Sequence, residues 1–290
     1  MNQHSKAAAG GNQAMLDRIS AELQKIRGYT PKVGVFGNTG AGKSSLCNAL
    51  FGKEIAEISD VEACTRNPQE IFIGKVGAGG IFLVDVPGVG EDMARQKEYI
   101  ALYKSLVPTL DLVIWAIKSD DRGYASAIDA YEKSVLPNLK TCPAVFVITQ
   151  ADKVEPYLEW DRTKRLPSEK QLANLMKKTI DVSAKFKISA DKIIAISANS
   201  TYNLVELVNK IVEILPNEKK YSFAREAKSE NVSESAAVAA ERGIFDYIKE
   251  FAADSWEKIK DEVTPMIVKA IPAVVTTIIA GAWNWLKKRL

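Results

Sequence analysis

Short apolar runs and amphipathic stretches alternate along the chain from about residue 31 to residue 216. Continuous or alternating apolar runs predict strands over residues 31–36, 69–75, 81–84, 112–117, 144–148 and 193–196. Apolar residues at helical spacing predict helices over residues 45–52, 91–106, 124–136, 167–180 and 204–215. Strands that alternate with helices in this way are typical of an α/β fold.

The two ends of the chain carry a purely helical pattern. A helix is predicted over residues 12–27, after a loose polar tail, by the spacing of Met15, Leu16, Ile19, Leu23 and Ile26. Residues 217–234 are rich in Ser, Lys and Glu and predict a linker or a solvated helix. Farther on, one helix face is traced by Ile244, Ile248, Phe251, Ser255, Ile259 and Val263. We therefore expect an α/β domain over residues 31–216, with an α-helical appendage built from residues 1–30 and 217–290.

The last residues combine apolar character with features of a membrane interface. Residues 270–286 carry no charge and contain Trp283 and Trp285 just before a basic cluster. Tryptophans followed by basic residues suit the boundary of a bilayer, so a membrane surface is one candidate partner of residues 263–290. A transmembrane helix needs about 20 apolar residues, and this run is shorter and interrupted by polar residues. Burial against the N-terminal helix and the α/β domain is the interpretation that we favour.

The amino-acid composition of the chain limits which partners, which cellular compartment and which catalytic chemistry are expected. The chain has 47% hydrophobic and 26% charged residues and a net charge of +3, which gives no electrostatic case for nucleic acid or the ribosome as the main partner. Cys47, Cys64 and Cys142 lack metal-binding spacing, and their odd number argues against a disulfide framework. We therefore expect a cytoplasmic protein, peripheral at the membrane if its C-terminal segment binds lipid. The single histidine, His4, lies in the tail, which excludes histidine-based acid–base catalysis and His-ligated zinc.

One stretch fits a phosphate-binding loop between a predicted strand and a predicted helix. It matches the pattern G-x-x-x-x-G-K-[ST] with Gly37, Asn38, Thr39, Gly40, Ala41, Gly42, Lys43 and Ser44, and Ser45 follows in the predicted helix. Glycines at these places let successive N–H groups and the positive end of the helix point at a phosphate chain. Lys43 would reach the terminal phosphates, and the Ser44 hydroxyl would bind the Mg²⁺ ion that bridges them.

Two further segments carry candidate groups for the metal and the terminal phosphate. Thr65 lies in a polar stretch over residues 53–68, where a loop threonine can close over the metal in one nucleotide state. A capping hydroxyl is the alternative role for this threonine. Asp85 ends a predicted buried strand, from which a carboxylate can hold the water shell of Mg²⁺. The N–H of Gly88, three residues later, can contact the terminal phosphate.

Two stretches at predicted strand ends suit recognition of a nucleotide base. The candidate residues follow the last two predicted strands and are Thr149, Gln150, Asp152, Lys153, Ser197 and Ala198. Asp152 can accept hydrogen bonds from both the ring N–H and the exocyclic amine of guanine, and adenine offers no such pair of donors. Backbone N–H groups at Ser197 and Ala198 can meet the guanine carbonyl. The pattern therefore favours GTP over ATP.

Taken together, these motifs resemble the Ras-like P-loop GTPase superfamily over residues 31–216. Three stretches look more closely like the Era-related bacterial GTPases of the YfjP/YeeP type: GAGKSSLCNAL over 40–50, ACTRNP over 63–68 and QADKVEP over 150–156. The resemblance implies a small-GTPase-like fold of the P-loop NTPase class, with a mixed six-stranded sheet flanked by helices. It also implies binding of GTP and GDP with Mg²⁺, and slow hydrolysis of GTP.

Three residues depart from the superfamily pattern. Gln150 replaces the lysine whose stem covers the base, which affects affinity more than specificity because Asp152 is retained. Val89 follows Gly88 where Ras-like members have the glutamine that orients the attacking water, so hydrolysis needs another group or a partner, or is slow. Gly40 stands where many Era-like proteins carry an asparagine linked to potassium activation, so we expect no potassium site of that kind.

The sequence therefore predicts a GTP-dependent switch with slow, Mg²⁺-dependent hydrolysis. Lys43, Thr65 and Gly88 are the candidate catalytic residues, and Ser44, Thr65 and Asp85 the candidate metal site. One alternative is a GTP-gated protein that self-assembles, for example as a nucleotide-dependent dimer, or binds membranes, as septins and dynamins do. A second alternative is an ATPase.

Overall fold

The computed structural model describes residues 3–51, 69–75, 79–85 and 93–270, and the fold is given for these ranges. Six strands of this part of the chain form one sheet: β1 (Lys32–Gly37), β2 (Gln69–Lys75), β3 (Gly79–Asp85), β4 (Leu112–Lys118), β5 (Ala144–Thr149) and β6 (Ile193–Ala195). Their order is β2-β3-β1-β4-β5-β6, with β2 antiparallel to β3 and the other neighbours parallel. The predicted mixed six-stranded sheet is confirmed, and each predicted strand overlaps an observed one.

Helices accompany the sheet on both faces and at both chain ends. In the described ranges they are α1 (Gln3–Gly28), α2 (Lys43–Phe51), α3 (Met93–Leu106), α4 (Ala125–Ser134), α5 (Glu169–Phe186), α6 (Leu204–Ile214), α7 (Asn217–Glu226), α8 (Glu234–Phe251) and α9 (Trp256–Ala270). Each helix predicted for the α/β domain overlaps one of these. Single helical turns occur in several of the connecting loops.

Both faces of the sheet are covered because successive side chains of a buried strand point to opposite faces. In β4, Leu112 and Ile114 join a buried cluster with α2 and α6. Val113 and Trp115 of the same strand join a second cluster with α3, α4 and α5. This three-layer arrangement leaves the carboxyl ends of the parallel strands at one edge of the sheet, where open α/β sheets bind their ligands.

The two ends of the chain pack against each other. Leu16, Ile19, Leu23 and Ile26 of α1 share a buried cluster with apolar residues of α8 and α9 and with Tyr221 of α7. The N-terminal helix therefore packs on the C-terminal helices. Its apolar face is covered there. The buried face has helical spacing, as an amphipathic helix needs.

Two predictions for the chain ends are wrong. Helix α1 begins at Gln3, so the stretch predicted as a loose tail is helical. Three alanines over residues 7–9 explain this, because alanine has the highest helix propensity. The apolar spacing over residues 244–263 predicts one helix, but a turn over residues 252–255 separates α8 from α9. The apolar period continues through the turn, so the period alone does not reveal it.

Residues 217–226 form neither a linker nor a solvated helix. Helix α7 buries Phe223 and Ala224 in the cluster that covers one face of the sheet. The ring of Phe223 meets that of Phe51 in α2 edge to face, with 5.7 Å between centroids. The proposed division at residue 216 therefore falls between two helices that share the same apolar core.

The connection between α7 and α8 caps the C-terminus of α2. The backbone N–H of Lys228 donates to the carbonyl of Leu50, and the side-chain amide of Asn231 donates to the carbonyl of Ala49, each over 2.8 Å. The last carbonyls of a helix have no partner within the helix, so they need donors from elsewhere in the chain. The appendage provides these donors for the helix that follows the predicted phosphate loop.

A buried carboxylate joins the appendage to the edge of the sheet. Asp111, just before β4, accepts hydrogen bonds from the Tyr29 hydroxyl (2.8 Å) and the Lys32 N–H (2.8 Å). The Lys219 Nζ atom of α7 lies 2.5 Å from the same carboxylate. Burial, and then the charge of Asp111, raise the pKa of Tyr29 well above its usual value. This network fixes α7 and the end of α1 to the start of β4.

Helix α5 presents an apolar stripe to solvent. Leu172, Met176 and Ile180 lie four residues apart and are 47%, 60% and 64% exposed. The sequence places them with Leu175 in one helix, and of the four only Leu175 is buried. The buried residues of this helix are Gln171, Leu175, Val182 and Phe186, which form a neighbouring face.

The predicted membrane segment, residues 263–290, is described as far as Ala270. Within that part, Val263 and Ile267 are buried in the cluster with α1. Residues 271–290 lie outside the described residues, so membrane contact or burial of that segment stays a prediction. Across the described ranges, no helix is both long enough and apolar enough to cross a bilayer.

Candidate functional site

A close contact with β4 explains the first glycine of the predicted phosphate loop. Gly37 ends β1 with φ of +143°, and a Cβ atom at this position would lie 2.2 Å from the carbonyl oxygen of Ala116. Residues other than glycine rarely adopt this φ, and none has room for its Cβ here. The chain therefore leaves the sheet at a point that only glycine can occupy without a shift of β4.

The tip of the loop depends on two more glycines in the left-handed region. Gly40 has φ of +76° and Gly42 has φ of +79°. Thr39 and Gly40 are exposed, and a Cβ added at Gly40 would meet no atom within 4 Å. Helix α2 begins at Lys43, directly after the loop, so its unpaired N–H groups lie beside the open side of the loop.

Lys43 places its ammonium across the loop. The Nζ atom lies 3.4 Å from the carbonyl oxygens of both Gly37 and Asn38. The loop thus combines a backbone curve that a side chain would obstruct, a helix N-terminus and an ammonium group. These three features together fit the phosphate chain of a nucleotide.

The candidate metal ligands are only partly described. Ser44 is half-buried in the first turn of α2, and its hydroxyl has no hydrogen-bond partner among the described residues, which leaves it available as a ligand. Asp85 is the last residue of β3 and pairs with Val35, two residues before the loop. The backbone therefore brings Asp85 to the strand next to the loop. Thr65 and Gly88 lie outside the described residues, and their roles stay predictions.

Two side chains that follow β5 reach back to the phosphate loop. The Thr149 hydroxyl donates to the carbonyl of Ala41 over 2.7 Å, and the Gln150 side-chain amide donates to the carbonyl of Gly40 over 3.4 Å. Gln150 adopts the left-handed conformation, with φ of +57°, which turns the chain toward the loop. The glutamine that departs from the superfamily pattern thus contacts the loop through a neutral amide.

The remaining base candidates lie on neighbouring loops at the same edge of the sheet. The N–H of Ala151 donates to the carbonyl of Ile196 over 3.0 Å, which joins the loop after β5 to the end of β6. Asp152 is half-buried in the first of these loops. In the second, Ser197 is buried and accepts the Ser200 N–H over 3.1 Å. Lys153 is exposed and Ala198 is half-buried.

The chain is similar to proteins of one known family. The model of a 50S ribosome-binding GTPase matches residues 32–150. YfjP and YkfA of Escherichia coli (strain K12) are each 37% identical to the chain, over 70% and 71% of this chain and 68% and 69% of their own lengths. The chain belongs to the Era-related P-loop GTPases of the YfjP/YeeP type. GTPase Era of Caldicellulosiruptor saccharolyticus is 27% identical over 65% of this chain and 56% of that protein.

One contact of the phosphate loop in this chain is not predicted by the sequence motifs. The Asn38 side-chain amide donates to the Asp121 carboxylate, in the loop after β4, over 2.9 Å. Lys178 of α5 donates to the backbone carbonyl of Asp121, and burial lowers the pKa of this lysine. The available signal was an acidic pair, Asp120 and Asp121, at the carboxyl end of a buried strand, where the other ligand loops lie.

The polar stretch over residues 154–165, called the insertion here, packs against the start of α5. The side-chain amides of Gln171 and Asn174 donate to the carbonyls of Val154 (2.9 Å) and Glu155 (2.8 Å). The polar sequence of the insertion, with Tyr157 and Trp160, predicts a lid or a partner-facing loop, and that role stays a prediction. These bonds fix its first residues to the helix that also anchors Asp121.

A cavity of about 660 Å³ lies between the insertion and the candidate base-binding residues. Residues 199–200 contribute to its wall, and the other lining residues are Asp152, Lys153, Tyr157, Trp160, Arg162 and Arg165. The ring of Trp160 meets that of Tyr202 edge to face, with 5.4 Å between centroids. This space, called the insertion cavity below, adjoins the predicted guanine site through Asp152.

Proposed function

We propose that the chain binds GTP and GDP with Mg²⁺, hydrolyses GTP slowly, and acts as a nucleotide switch. The observation that carries the proposal is the pair of bonds from Thr149 and Gln150 to the phosphate loop. They join the loop that reads the base to the loop that binds the phosphates, so both ends of one nucleotide meet a single connected site. Membership of a GTPase family supports the same reading.

The proposed roles of the residues follow from their places. Lys43 neutralises charge on the terminal phosphates, and the loop N–H groups orient them. Ser44 and Thr65 would hold Mg²⁺, with Asp85 behind its water shell, and the ion would supply positive charge against the negative charge that develops during hydrolysis. The N–H of Gly88 contacts the terminal phosphate. Catalysis of this kind depends on positioning and charge rather than on a nucleophilic side chain.

Guanine selectivity is assigned to Asp152. Its carboxylate accepts two hydrogen bonds from guanine, whereas Asn at this position would present one donor and one acceptor. Asp152→Asn should therefore lower GDP affinity by about 10²-fold or more and raise the affinity for xanthosine diphosphate. The measurement is competition against a fluorescent GDP analogue, with ADP as a third competitor that tests the ATPase alternative.

The matched control is Asp254→Asn, which changes an exposed aspartate in the turn between α8 and α9. It should leave all three affinities unchanged. Unaltered GDP binding by Asp152→Asn would mean that the base is read elsewhere. Tighter binding of ADP than of GDP by the wild-type protein would favour the ATPase alternative.

One observation favours the alternative of GTP-gated self-assembly. The apolar stripe of Leu172, Met176 and Ile180 lies on the solvent side of α5, and apolar side chains at this spacing suit contact with another helix. Ribosome binding, which the description of the matching family names, is not part of our proposal, because a net charge of +3 gives the surface as a whole little attraction to ribosomal RNA. Light scattering with GTP and with GDP tests assembly directly.

A further inference from the structure

The insertion cavity carries an unbalanced positive charge. Lys153, Arg162 and Arg165 line it, and among the described residues none of the three has a carboxylate within 4 Å. Asp152 is the one carboxylate among the lining residues. A ligand separate from guanine rests on the proposed function, because that function commits Asp152 to guanine. With three cations and one carboxylate in its lining, the cavity keeps a net positive charge.

Neighbouring charges of the insertion are compensated, which sets these three apart. Glu159 and Lys170 lie 2.8 Å apart, and Lys164 lies 3.9 Å from Asp161. These two pairs lie outside the cavity lining, to which the insertion contributes Arg162 and Arg165. Arg165 is also fixed in place, because its guanidinium donates to the Thr201 hydroxyl over 2.8 Å.

The aromatic residues of the cavity add a second, independent observation. Trp160 is only 8% exposed, and its indole Nε1 atom has no hydrogen-bond partner in the part of the chain that the structure describes. Buried donors of this kind normally have an acceptor, so the absence of one calls for an explanation. The Nε1 atom is itself buried, so a ligand oxygen would supply this acceptor after a small rotation of the Trp160 ring toward the cavity. Tyr157, at the rim, is 55% exposed and offers a ring on which a base can stack.

We propose that the insertion cavity binds a second nucleotide, distinct from the one in the phosphate loop, with its phosphate on Arg162 and Arg165 and its base against Tyr157. Guanidinium groups bind phosphate through paired hydrogen bonds, and the cavity volume of about 660 Å³ is in the range of small-ligand sites. The ligand chemistry is a nucleoside phosphate, either free or as one unit of single-stranded RNA. Its position beside Asp152 would let it report on occupancy of the guanine site.

The test titrates the GDP-loaded protein with uridine diphosphate and, separately, with hexauridylate. GDP is loaded in a one-to-one ratio and the excess is removed, so that the phosphate loop is occupied and the insertion cavity stays open to the probes. The readout is the Trp160 indole N–H signal in nitrogen–proton correlation spectra, assigned with Trp160→Phe. We expect a saturable shift of this signal, and about tenfold weaker binding in Arg162→Gln and in Arg165→Gln. Lys164→Gln, with its exposed side chain outside the cavity, is the matched control and should bind as the wild type does.

The binding of the two probes supports or overturns the second nucleotide site. Saturable binding of uridine diphosphate supports a free nucleotide as the ligand, and tighter binding of hexauridylate supports RNA as its source. Absence of binding by both probes overturns the proposal, as does equal weakening in Lys164→Gln, which would indicate general charge attraction. GDP affinity is measured first, so a protein that fails to bind GDP contradicts the proposed function, whereas one that binds GDP but neither probe contradicts only this inference.

Discussion

The Thr149 hydroxyl and the Ala41 carbonyl, 108 residues apart in the sequence, are joined by a hydrogen bond of 2.7 Å. Thr149 is buried, so water does not compete for this bond. Ala41 lies at the centre of the phosphate loop, and Thr149 begins the stretch that ends in Asp152. The bond therefore couples the conformation of the loop to the position of Asp152, the residue that we propose reads the base.

Thr149→Val removes the hydroxyl and keeps the shape of the side chain. A buried carbonyl then loses a donor, so we expect GDP affinity to fall about fivefold, equivalent to about 1 kcal/mol. Thr141→Val is the control, since its exposed hydroxyl bonds only to the nearby Asn138 carbonyl over 3.2 Å. Calorimetric titration of both variants with GDP provides the measurement. Equal affinities for both would show that the Thr149 bond has no part in nucleotide binding.

The glycines of the phosphate loop should differ in their tolerance of alanine. Gly37→Ala introduces a Cβ atom 2.2 Å from the Ala116 carbonyl at φ of +143°, so we expect the nucleotide-free protein to lose about 3 kcal/mol of unfolding free energy. Gly40→Ala adds a Cβ into open space at φ of +76° and should cost about 1 kcal/mol. Urea denaturation followed by circular dichroism compares them. Similar losses in the two variants would contradict the close approach of Gly37 to β4.

Loss of the Asp111 charge should loosen the junction between the appendage and the sheet. Asp111→Asn leaves the Lys219 ammonium without its carboxylate, and because that lysine is partly exposed we expect a loss of about 2 kcal/mol rather than the larger cost of a fully buried pair. Asp246→Asn breaks an exposed pair with Arg242 on α8 and should change stability by less than about 0.5 kcal/mol. Chemical denaturation curves of both variants measure the difference.

GTP turnover per molecule should be slow and should rise with protein concentration. Val89 replaces the water-orienting glutamine, and Arg66 and Arg122 are candidate charge donors across an interface. Of these three, Arg122 lies in the described residues, exposed and next to the Asp121 carboxylate that binds Asn38. An arginine supplied in trans raises turnover by on the order of 10³-fold in known cases.

The experiment measures phosphate release over a hundredfold range of protein concentration. Arg66→Ala and Arg122→Ala are compared with Lys140→Ala, which changes another exposed cation, and Val89→Gln tests whether a glutamine restores turnover in the dilute protein. Fast turnover that does not depend on concentration or on either arginine would exclude activation in trans. It would instead indicate a group within the same chain.

The strands and the phosphate loop were predictable because their signals are local. The run over residues 144–148 predicts β5 to within one residue, and the glycine spacing from Gly37 to Gly42 reports backbone angles that a sequence motif encodes directly. Asn38 and Asp121 are 83 residues apart, and no short-range pattern connects them. Their contact follows from the order of β1 and β4 in the sheet, which the sequence does not contain explicitly.

The helices at the chain ends were harder to predict, because the same apolar spacing fits one continuous helix and two helices separated by a turn. Ile244 and Ile259 are both buried and both fall on the same helical period, although a turn separates them. Similarly, Leu172 and Met176 satisfy helical spacing but face solvent, since α5 already buries a neighbouring face against the sheet. Helical spacing of apolar residues predicts that a helix has an apolar face. Whether another part of the protein covers that face depends on the tertiary structure.

The contacts of residues 217–240 with the sheet determine how short a functional fragment can be. Truncation after residue 216 would uncover Phe51 and remove both donors that cap α2, from Lys228 and Asn231. The remaining fragment would keep every predicted nucleotide ligand and still expose a broad apolar surface, a composition prone to aggregation. The minimal autonomous folding unit therefore extends beyond the GTPase motifs to about residue 240, and fragment boundaries chosen from motif positions alone would cut through its core.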